Sequence, residues 1–464
     1  MREIITNTAE KLKKEFMEFF MTEEISVDNA EAKLVEKVHA EICSMVASIY
    51  ELIDEELYQD KEMRKASGMK TERRGDIRRI LSRFGEISYR RTYYQCADGT
   101  RIYPVDEMAG IEKRQRITTG VSEALVRKAI DFSYDKSRKM VTNGAVSKQT
   151  VMNKIRASEV PKTEEKKLKP HVEVLHIDAD EDHVSMQSGS TAQVPVICAY
   201  EGIQKLGKRG VCVNKKAYSE YGMKTPEFWE EVWDDIWKRY ELTGTKIILH
   251  GDGAAWIKQG LEYIPGSEYV LDPYHKNKAI KQLYTGIKGE ERESSERTLR
   301  EAMSKGDDEV FEAVIESVLS RNDIKKVNED AGEYLLRNYE GIRRYYVDED
   351  ARKGGATEPH VSHILSARLS SRPMGWSEET LKSFVPILAA RECRIRKELP
   401  EKRAEEEIGK VVERCRGRRS AGLPDPDRAV LLQADLERES PLYKMLHYPG
   451  GRWCGAPISF PTKS

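Results

Sequence analysis

The sequence predicts an α/β core in which a meander of three strands is followed by alternating helices and strands. Three observations predict it. Residues 172–187 (VEVLHIDADEDHVSMQ), 194–200 (VPVICAY) and 210–218 (GVCVNKKAY) are consecutive runs with strand composition, separated by turn residues. TPEFWEEVWDDIWKRYE (225–241) repeats its apolar residues at helical spacing. KIILH (246–250) and EYVLD (268–272) are short buried strands that each lead into a helix. The resulting order, β-β-β-α-β-α-β-α, is that of a ribonuclease H-like fold, with helices packed on a sheet whose later strands run parallel.

The chain has 464 residues, enough for two to four domains with a sizeable core. With 39% hydrophobic and 34% charged residues it is neither fibrous nor disordered. No apolar run approaches the roughly 20 residues that cross a bilayer. The N-terminus is charged and amphipathic and lacks the apolar stretch of a signal peptide, so a cytoplasmic, nucleoid-associated location is expected. The seven cysteines are scattered and form no CxxC, which argues against a zinc ribbon or a disulfide framework.

Charge is uneven along the chain. Residues 1–60 carry a balance of -9, residues 61–170 one of +13 and residues 171–464 one of -5. A basic module beside an acidic one is the footprint of a polyanion binder coupled to a part that uses carboxylates, although a solvated charged face has the same composition.

Residues 1–60 read as an N-terminal segment of two acidic helices, marked by Leu12, Phe16, Phe19 and Phe20 and then by Leu34, Val38, Ile42, Val46 and Ile49. Residues 61–160 form the expected DNA-binding region. Its first half, ILSRFGEISYRRTYYQCADGTRIYPVDE, reads as a basic β-hairpin in which Arg90 and Arg91 sit among tyrosines, a pattern suited to phosphate contact with stacking and equally to a twisted sheet with one buried face. Its second half reads as a helix-turn-helix. Ser147 caps the last helix, on which Lys148, Gln149, Asn153, Lys154 and Arg156 face outward and Val151, Met152 and Ile155 inward. A plain helical hairpin is the other reading. PKTEEKKLKP (161–170) is a charged linker. The core is expected over 171–288, an all-α insertion over 289–350, closing helices of the core over 351–392 and a basic tail over 393–464.

The chemistry is carried by carboxylates. Asp178, Asp180 and Asp182 alternate on one strand and so share a face, and three acids there cannot all be buried unpaired. Bound Mg2+ is the usual compensation, because it takes oxygen ligands. Asp252 lies where a buried strand ends, the ligand side of an α/β sheet, or else it caps the next helix. Glu358 follows Gly354-Gly355 and opens a helix, where the helix dipole alone also favours it. Together, an Asp on the first strand, an Asp at the end of the fourth and a Glu on a later helix make a set able to hold two metal ions about 3.5–4 Å apart. His360 and His363 do not share a helix face with Glu358 well, and zinc is not expected there.

The runs HIDADEDHVSMQ, ILHGDGAAWIKQG, YVLDPYHKNKAI and TEPHVSHILSARLSSRPMGWS resemble those of the ISLre-type insertion-sequence transposases, a DDE family related to Mutator-like elements. FGEISYRRTYYQ and VSKQTVMNKI resemble that family's N-terminal half, and the likeness spans roughly residues 75–390. It implies that Asp180, Asp252 and Glu358 are the catalytic, metal-binding triad. It selects Asp180 among the three strand acids, which strand parity leaves open. It further implies that Asp272 and His275 are accessory, as the D-x-x-H motif found after the second Asp; from the residues alone, His275 reads as a surface histidine. The implied cofactor is Mg2+, with Mn2+ as a substitute. The implied partners are double-stranded DNA, as terminal inverted repeats and target, and a second copy of the chain in a synaptic complex, with no membrane. The expected activity is transposition by Mg-dependent cleavage and strand transfer. The alternatives are a domesticated, non-catalytic DNA-binding protein and a ribonuclease H-like nuclease that cuts without joining.

Overall fold

A computed structural model describes residues 2–22, 27–165, 167–207 and 209–395. The described chain divides into two compact units at Val121–Ser122.

The first unit opens with α1 (Arg2–Thr22), α2 (Val27–Gln59) and α3 (Lys61–Ala66), followed by the strands β1 (Lys70–Ser82), β2 (Gly85–Gln95) and β3 (Arg101–Ile102) and the short α4 (Pro104–Met108). Asp60 starts α3 by accepting the Met63 N–H at 2.9 Å. The β1–β2 hairpin closes through Ser82 opposite Gly85, whose φ of +138° suits only glycine. Cys43, Ile53 and Leu57 of α2 pack on Ile80, Ile87 and Tyr89 of the hairpin, and Asp54 accepts both the N–H and the hydroxyl of Thr92.

The second unit begins within α5 (Thr119–Asp131) and continues through α6 (Tyr134–Thr142), α7 (Lys148–Arg156) and the two-residue strand β4 (Ser158–Glu159). It then alternates. β5 (Val174–Ser185), β6 (Thr191–Tyr200), β7 (Ile203–Leu206), β8 (Arg209–Cys212) and β9 (Lys216–Tyr218) precede α8 (Thr225–Arg239), β10 (Lys246–Gly251), α9 (Ala255–Tyr263), β11 (Ser267–Leu271) and α10 (Pro273–Leu283). Four helices follow: α11 (Glu290–Lys305), α12 (Asp308–Leu319), α13 (Lys326–Arg337) and α14 (Tyr339–Val347). The described chain closes with α15 (Thr357–Val361), a π-helical turn over Ser362–Ser366, α16 (Ala367–Leu369), α17 (Glu378–Ala390) and β12 (Arg394–Ile395).

The central sheet has the order β11-β10-β5-β6-β9. β10 is parallel to both β5 and β11, whereas β5, β6 and β9 pair antiparallel in sequence. Alternation along β5 sorts its residues onto two faces. Leu175, Ile177 and Ala179 join Ala199 and Ile197 of β6 and Ile247 and Leu249 of β10 in the main hydrophobic core, covered by Phe228, Trp229, Val232 and Ile236 of α8 and by residues of α9 to α14. His176, Asp178, Asp180 and Asp182 occupy the other face, and all four are buried.

Three boundaries differ from the sequence reading. The strand expected over 210–218 divides: β8 pairs only with β7 in a separate hairpin, and only β9 joins the central sheet. The turn at Asn214, which holds a φ of +50°, parts the two. The helix-turn-helix residues belong to the same unit as the central sheet rather than with the β-hairpin, because α7 packs its Val151 and Ile155 inward and bonds α17. The helix opened by Glu358 is short, and the backbone passes into the π turn after Val361. The tail expected from 393 onward falls, from residue 396, outside the described residues.

Candidate active site

Parallel register builds the site. His250 pairs with Asp178 across β10 and β5, so Asp252, two residues on, lies level with Asp180. Gly251 pairs with Leu271 across β10 and β11, so Asp272 lies level with Asp252, and the Asp272 N–H donates to the Gly251 carbonyl at 2.9 Å. Three aspartates therefore form a row across adjacent strands, which are spaced about 4.8 Å apart, with Asp180 within β5 and Asp252 and Asp272 just beyond the ends of β10 and β11. On the opposite, apolar face α9 approaches β10 closely: a Cβ at Gly251 would meet the Ile257 side chain and the Ala179 carbonyl.

The three strand acids have different fates. Asp178 accepts the Tyr200 hydroxyl at 2.9 Å and the Ala356 N–H at 2.7 Å. Asp182 accepts the Ser370 hydroxyl at 2.9 Å. Asp180 accepts the neighbouring Glu181 N–H at 2.8 Å and has no side-chain donor among the described residues. Burial, reinforced by the charges of Asp252 and Asp272, pushes the Asp180 carboxyl up to about 6. Asp178 goes the other way. Burial opposes its charge, but the contacts from His360 and the Ala356 N–H outweigh it and hold the carboxyl below the usual range.

Asp252 uses one oxygen to accept the Ala254 N–H at 2.8 Å, which starts the turn into α9. Its backbone carbonyl accepts the Tyr334 hydroxyl from α13. Asp272 caps α10, accepting the Tyr274 and His275 N–H groups at 2.9 and 3.3 Å. The same oxygen lies 3.3 Å from His275 Nδ1. Burial alone would lower the His275 pKa, but the bond to Asp272 and the charges of Asp180 and Asp252 raise it. His275 is thus a half-buried histidine biased toward its cationic form and tied to the acidic row, not a surface residue.

The backbone of Glu358 is in α15, two residues after Ala356; its side chain lies outside the described residues. Among the described residues, no three His, Cys, Asp or Glu side chains converge closely enough to hold a metal ion. Mg2+ does not require such a cage, since it keeps several waters and takes one or two carboxylates together with substrate phosphates. The donors in the row are all oxygens, and a carboxyl whose ionisation is opposed by like charges is one that a divalent cation would stabilise. The residues present fit that group, with Asp180 and Asp252 as the carboxylates that would hold it.

The residues expected to face DNA divide into two sets. Ser147 caps α7 by accepting the Thr150 N–H at 3.0 Å. Lys148, Gln149 and Asn153 are exposed, with Gln149 donating to Asn153 at 3.0 Å and Lys148 3.8 Å from Asp135. Lys154 is half-buried and Arg90 is exposed. Arg156 does not face outward as the helical pattern implied. Its guanidinium donates to Thr380 and Ser377 at 2.9 and 3.0 Å and pairs with Glu379 at 2.5 Å, because the start of α17 packs against the end of α7. Arg91 is also withdrawn: it pairs with the buried Asp106 and lies over the Tyr103 ring at 3.5 Å.

Sequence reasoning missed Tyr200, Tyr334 and the role of His360. Tyr200 ends a strand and His360 follows Gly354-Gly355 by a few residues, but neither position carries a local signal of a long-range partner.

Fold and site together define an α/β protein with an acidic row on the polar face of its sheet. By sequence, the chain belongs to the uncharacterised protein family UPF0236, whose model matches residues 20–403. A UPF0236 protein of Caldanaerobacter subterraneus subsp. tengcongensis, whose name joins eleven locus designations, is 38% identical over 345 residues, covering 74% of this chain and 73% of its own. A second from that organism, UPF0236 protein TTE2489, is 38% identical over the same length and the same shares. A "UPF0236 protein in vanSb 3'region" of Streptococcus gallolyticus is 24% identical over 387 residues, covering 77% and 83%. Among solved structures, a chain of a simian T-cell lymphotropic virus intasome in complex with the PP2A regulatory subunit B56 gamma matches 42% of this chain and 71% of its own, with 9% identity and a TM-score of 0.15, too low to bear on the fold. Among the described residues no helix is long and apolar enough to cross a membrane.

Proposed function

We propose that this protein is a DNA transposase of an insertion sequence, built on a ribonuclease H-like core and acting by a DDE mechanism. The observation that carries the reading is the row of Asp180, Asp252 and Asp272 across three adjacent parallel strands, with one carboxyl pushed up to about 6 by burial and by the others. The strand order β11-β10-β5-β6-β9, with an antiparallel meander extended by parallel strands, supports the ribonuclease H-like assignment. The relative whose name joins eleven loci supports a gene present in many copies in one genome, as a mobile element would be.

In this reading Asp180, Asp252 and Glu358 are the triad. Two Mg2+ ions, when bound, supply activation of the attacking water or 3′-hydroxyl and stabilise the leaving oxygen. Asp272 orients His275, whose raised pKa suits it to contact a phosphate oxygen of the substrate. Lys148, Gln149 and Asn153 on α7 read the terminal inverted repeats, with phosphate contacts dominating affinity. Two ends must be brought together, so the working form contains at least two copies of the chain.

The test is cleavage and joining with a DNA duplex carrying the inverted repeats that flank the gene, in Mg2+ or Mn2+. Asp180→Asn, Asp252→Asn and Glu358→Gln should each abolish cleavage and leave end binding intact. Cleavage retained by one variant removes that residue from the triad. Cleavage without joining of pre-cut ends replaces transposase by nuclease, and end binding without metal-dependent cleavage replaces it by a DNA-binding protein.

A further inference from the structure

The segment that carries Glu358 is gripped by buried groups on the sheet, none of which belongs to the acidic row. Gly354 lies against His176 and His250, whose ring nitrogens are 3.1 Å apart, and a Cβ at that position would collide with both rings. Gly355 holds a φ of +83° and donates its N–H to the Tyr200 hydroxyl oxygen at 3.0 Å. That hydroxyl in turn donates to Asp178 at 2.9 Å. Ala356 donates its N–H to the other Asp178 oxygen at 2.7 Å, and His360 Nδ1 lies 3.3 Å from that same oxygen. On its far side, His360 Nε2 is 3.5 Å from Cys212 Sγ.

The physics of this arrangement is asymmetric. Asp178 is 2% exposed, and a carboxylate that deep is tolerable only while its hydrogen bonds are made. One hydrogen-bond donor, the Ala356 N–H, and one close neighbour, His360 with Nδ1 at 3.3 Å, come from the Glu358 segment, and they flank Glu358 in the chain. Moving the segment away would therefore remove the Ala356 donor and the nearby His360 ring from a buried charge. Directly after α15 the backbone adopts the π turn of Ser362–Ser366, a form found disproportionately at functional sites.

We infer that Asp178, Tyr200 and His360 are positioning residues that clamp the backbone on both sides of Glu358, so that α15 is presented to the acidic row in one fixed place. The inference rests on the triad proposed above and adds a role for groups outside it. Asp178 is thereby not a spare metal ligand two residues along β5 from Asp180; its oxygens are committed to the clamp.

The experiment uses the full chain and Mn2+ alone as the probe, followed by calorimetry or by the electron paramagnetic resonance signal of free ion, with amide hydrogen exchange over residues 354–362. Tyr200→Phe removes one hydroxyl and keeps the packing; Asp178→Asn tests the carboxylate itself. Outer groups that orient metal ligands typically change metal affinity about 10- to 100-fold when altered. Tyr200→Phe is expected to remain folded with a lowered unfolding midpoint, to bind Mn2+ about 10-fold more weakly than the unaltered protein and to exchange faster over 354–362, with unchanged affinity for end DNA. Asp178→Asn, where it folds, should lose more. A purely structural role would leave Mn2+ affinity unmoved in folded Tyr200→Phe. If Asp180→Asn weakens Mn2+ binding and Tyr200→Phe alters neither binding nor exchange, the clamp is overturned while the triad stands. If the unaltered protein binds no Mn2+, the triad reading falls and the clamp's role falls with it.

Discussion

The two faces of the central sheet are made from the same strands and have opposite characters. On one, Leu175, Ile177 and Leu249 sit among the helices α8 to α14 in a continuous apolar core. On the other, offset by a single residue, the titratable His176, Asp178, Asp180 and His250 are also buried, beside the apolar Ile248, Val270 and Val196. The apolar face is held by area removed from water, a non-directional force that tolerates exchange among residues of similar volume. The titratable groups of the polar face are tolerable only through specific partners, and where the described residues supply no side-chain donor, as at Asp180, ionisation becomes costly. The comparison teaches that burial in this protein serves stability on one side and poises charge on the other.

The largest effect that sharpens the contrast lies on the polar face. Asp180→Asn should lower Mg2+-dependent cleavage by about 10³-fold or more, the scale of several kcal/mol of lost charge stabilisation, and leave the fold intact. The readout is product formation on end DNA, alongside circular dichroism. The matching change on the apolar face is Leu249→Ala, which is fully buried in the core. It should cost about 2–5 kcal/mol in denaturant unfolding and leave the cleavage rate of the remaining folded protein near normal. Cleavage lost in proportion to neither stability nor folded fraction would break the division between the faces.

A half-buried carboxyl away from the row separates the cost of burial from function. Burial, with the charge of Glu231 behind it, pushes Glu220 up to about 7. The native state then binds this proton more tightly than the unfolded chain, so the stabilising contribution is complete below about pH 4 and is lost as pH rises through about 7. Glu220→Gln should be the more stable form at pH 8, by up to about 3 kcal/mol, with the advantage vanishing near pH 4. Thermal unfolding across that range measures it, and a constant difference at all pH values would discard the idea.

The smallest effect concerns α7. Lys148→Ala should weaken binding to all DNA sequences about equally and reduce the slope of log affinity against log salt by about 1. Arg156→Ala should instead lower stability, by about 1–3 kcal/mol, through its lost bonds to Thr380, Ser377 and Glu379. Titrations at several salt concentrations distinguish the two, and a salt slope altered more by Arg156→Ala than by Lys148→Ala would reverse the assignment.

Much of the architecture was legible because it depends on local pattern. The alternation of HIDADED set the two faces of β5, and Ser147 and the apolar spacing around Val151 and Ile155 marked α7. The candidate acids stood out because each lies at a strand or where a strand ends. The outward reading of Arg156 failed because helical periodicity cannot see a second helix: the side chain lies at the end of α7, where the start of α17, more than 200 residues later, supplies three acceptors. Arg91 failed for the same reason, through Asp106 and Tyr103.

By itself, the sequence determined the strand and helix order, the alternation of faces and the positions of the acids, since these follow from side-chain periodicity and backbone preference over a few residues. Only the tertiary structure decided which of Asp178, Asp180 and Asp182 has no side-chain donor among the described residues, and which histidine is tied to the row. The physical reason is that the ionisation and freedom of a buried polar group are set by neighbours brought from distant parts of the chain. Parallel register placed Asp252 and Asp272 level with Asp180, and the return of the segment from Gly354 to His360 claimed Asp178.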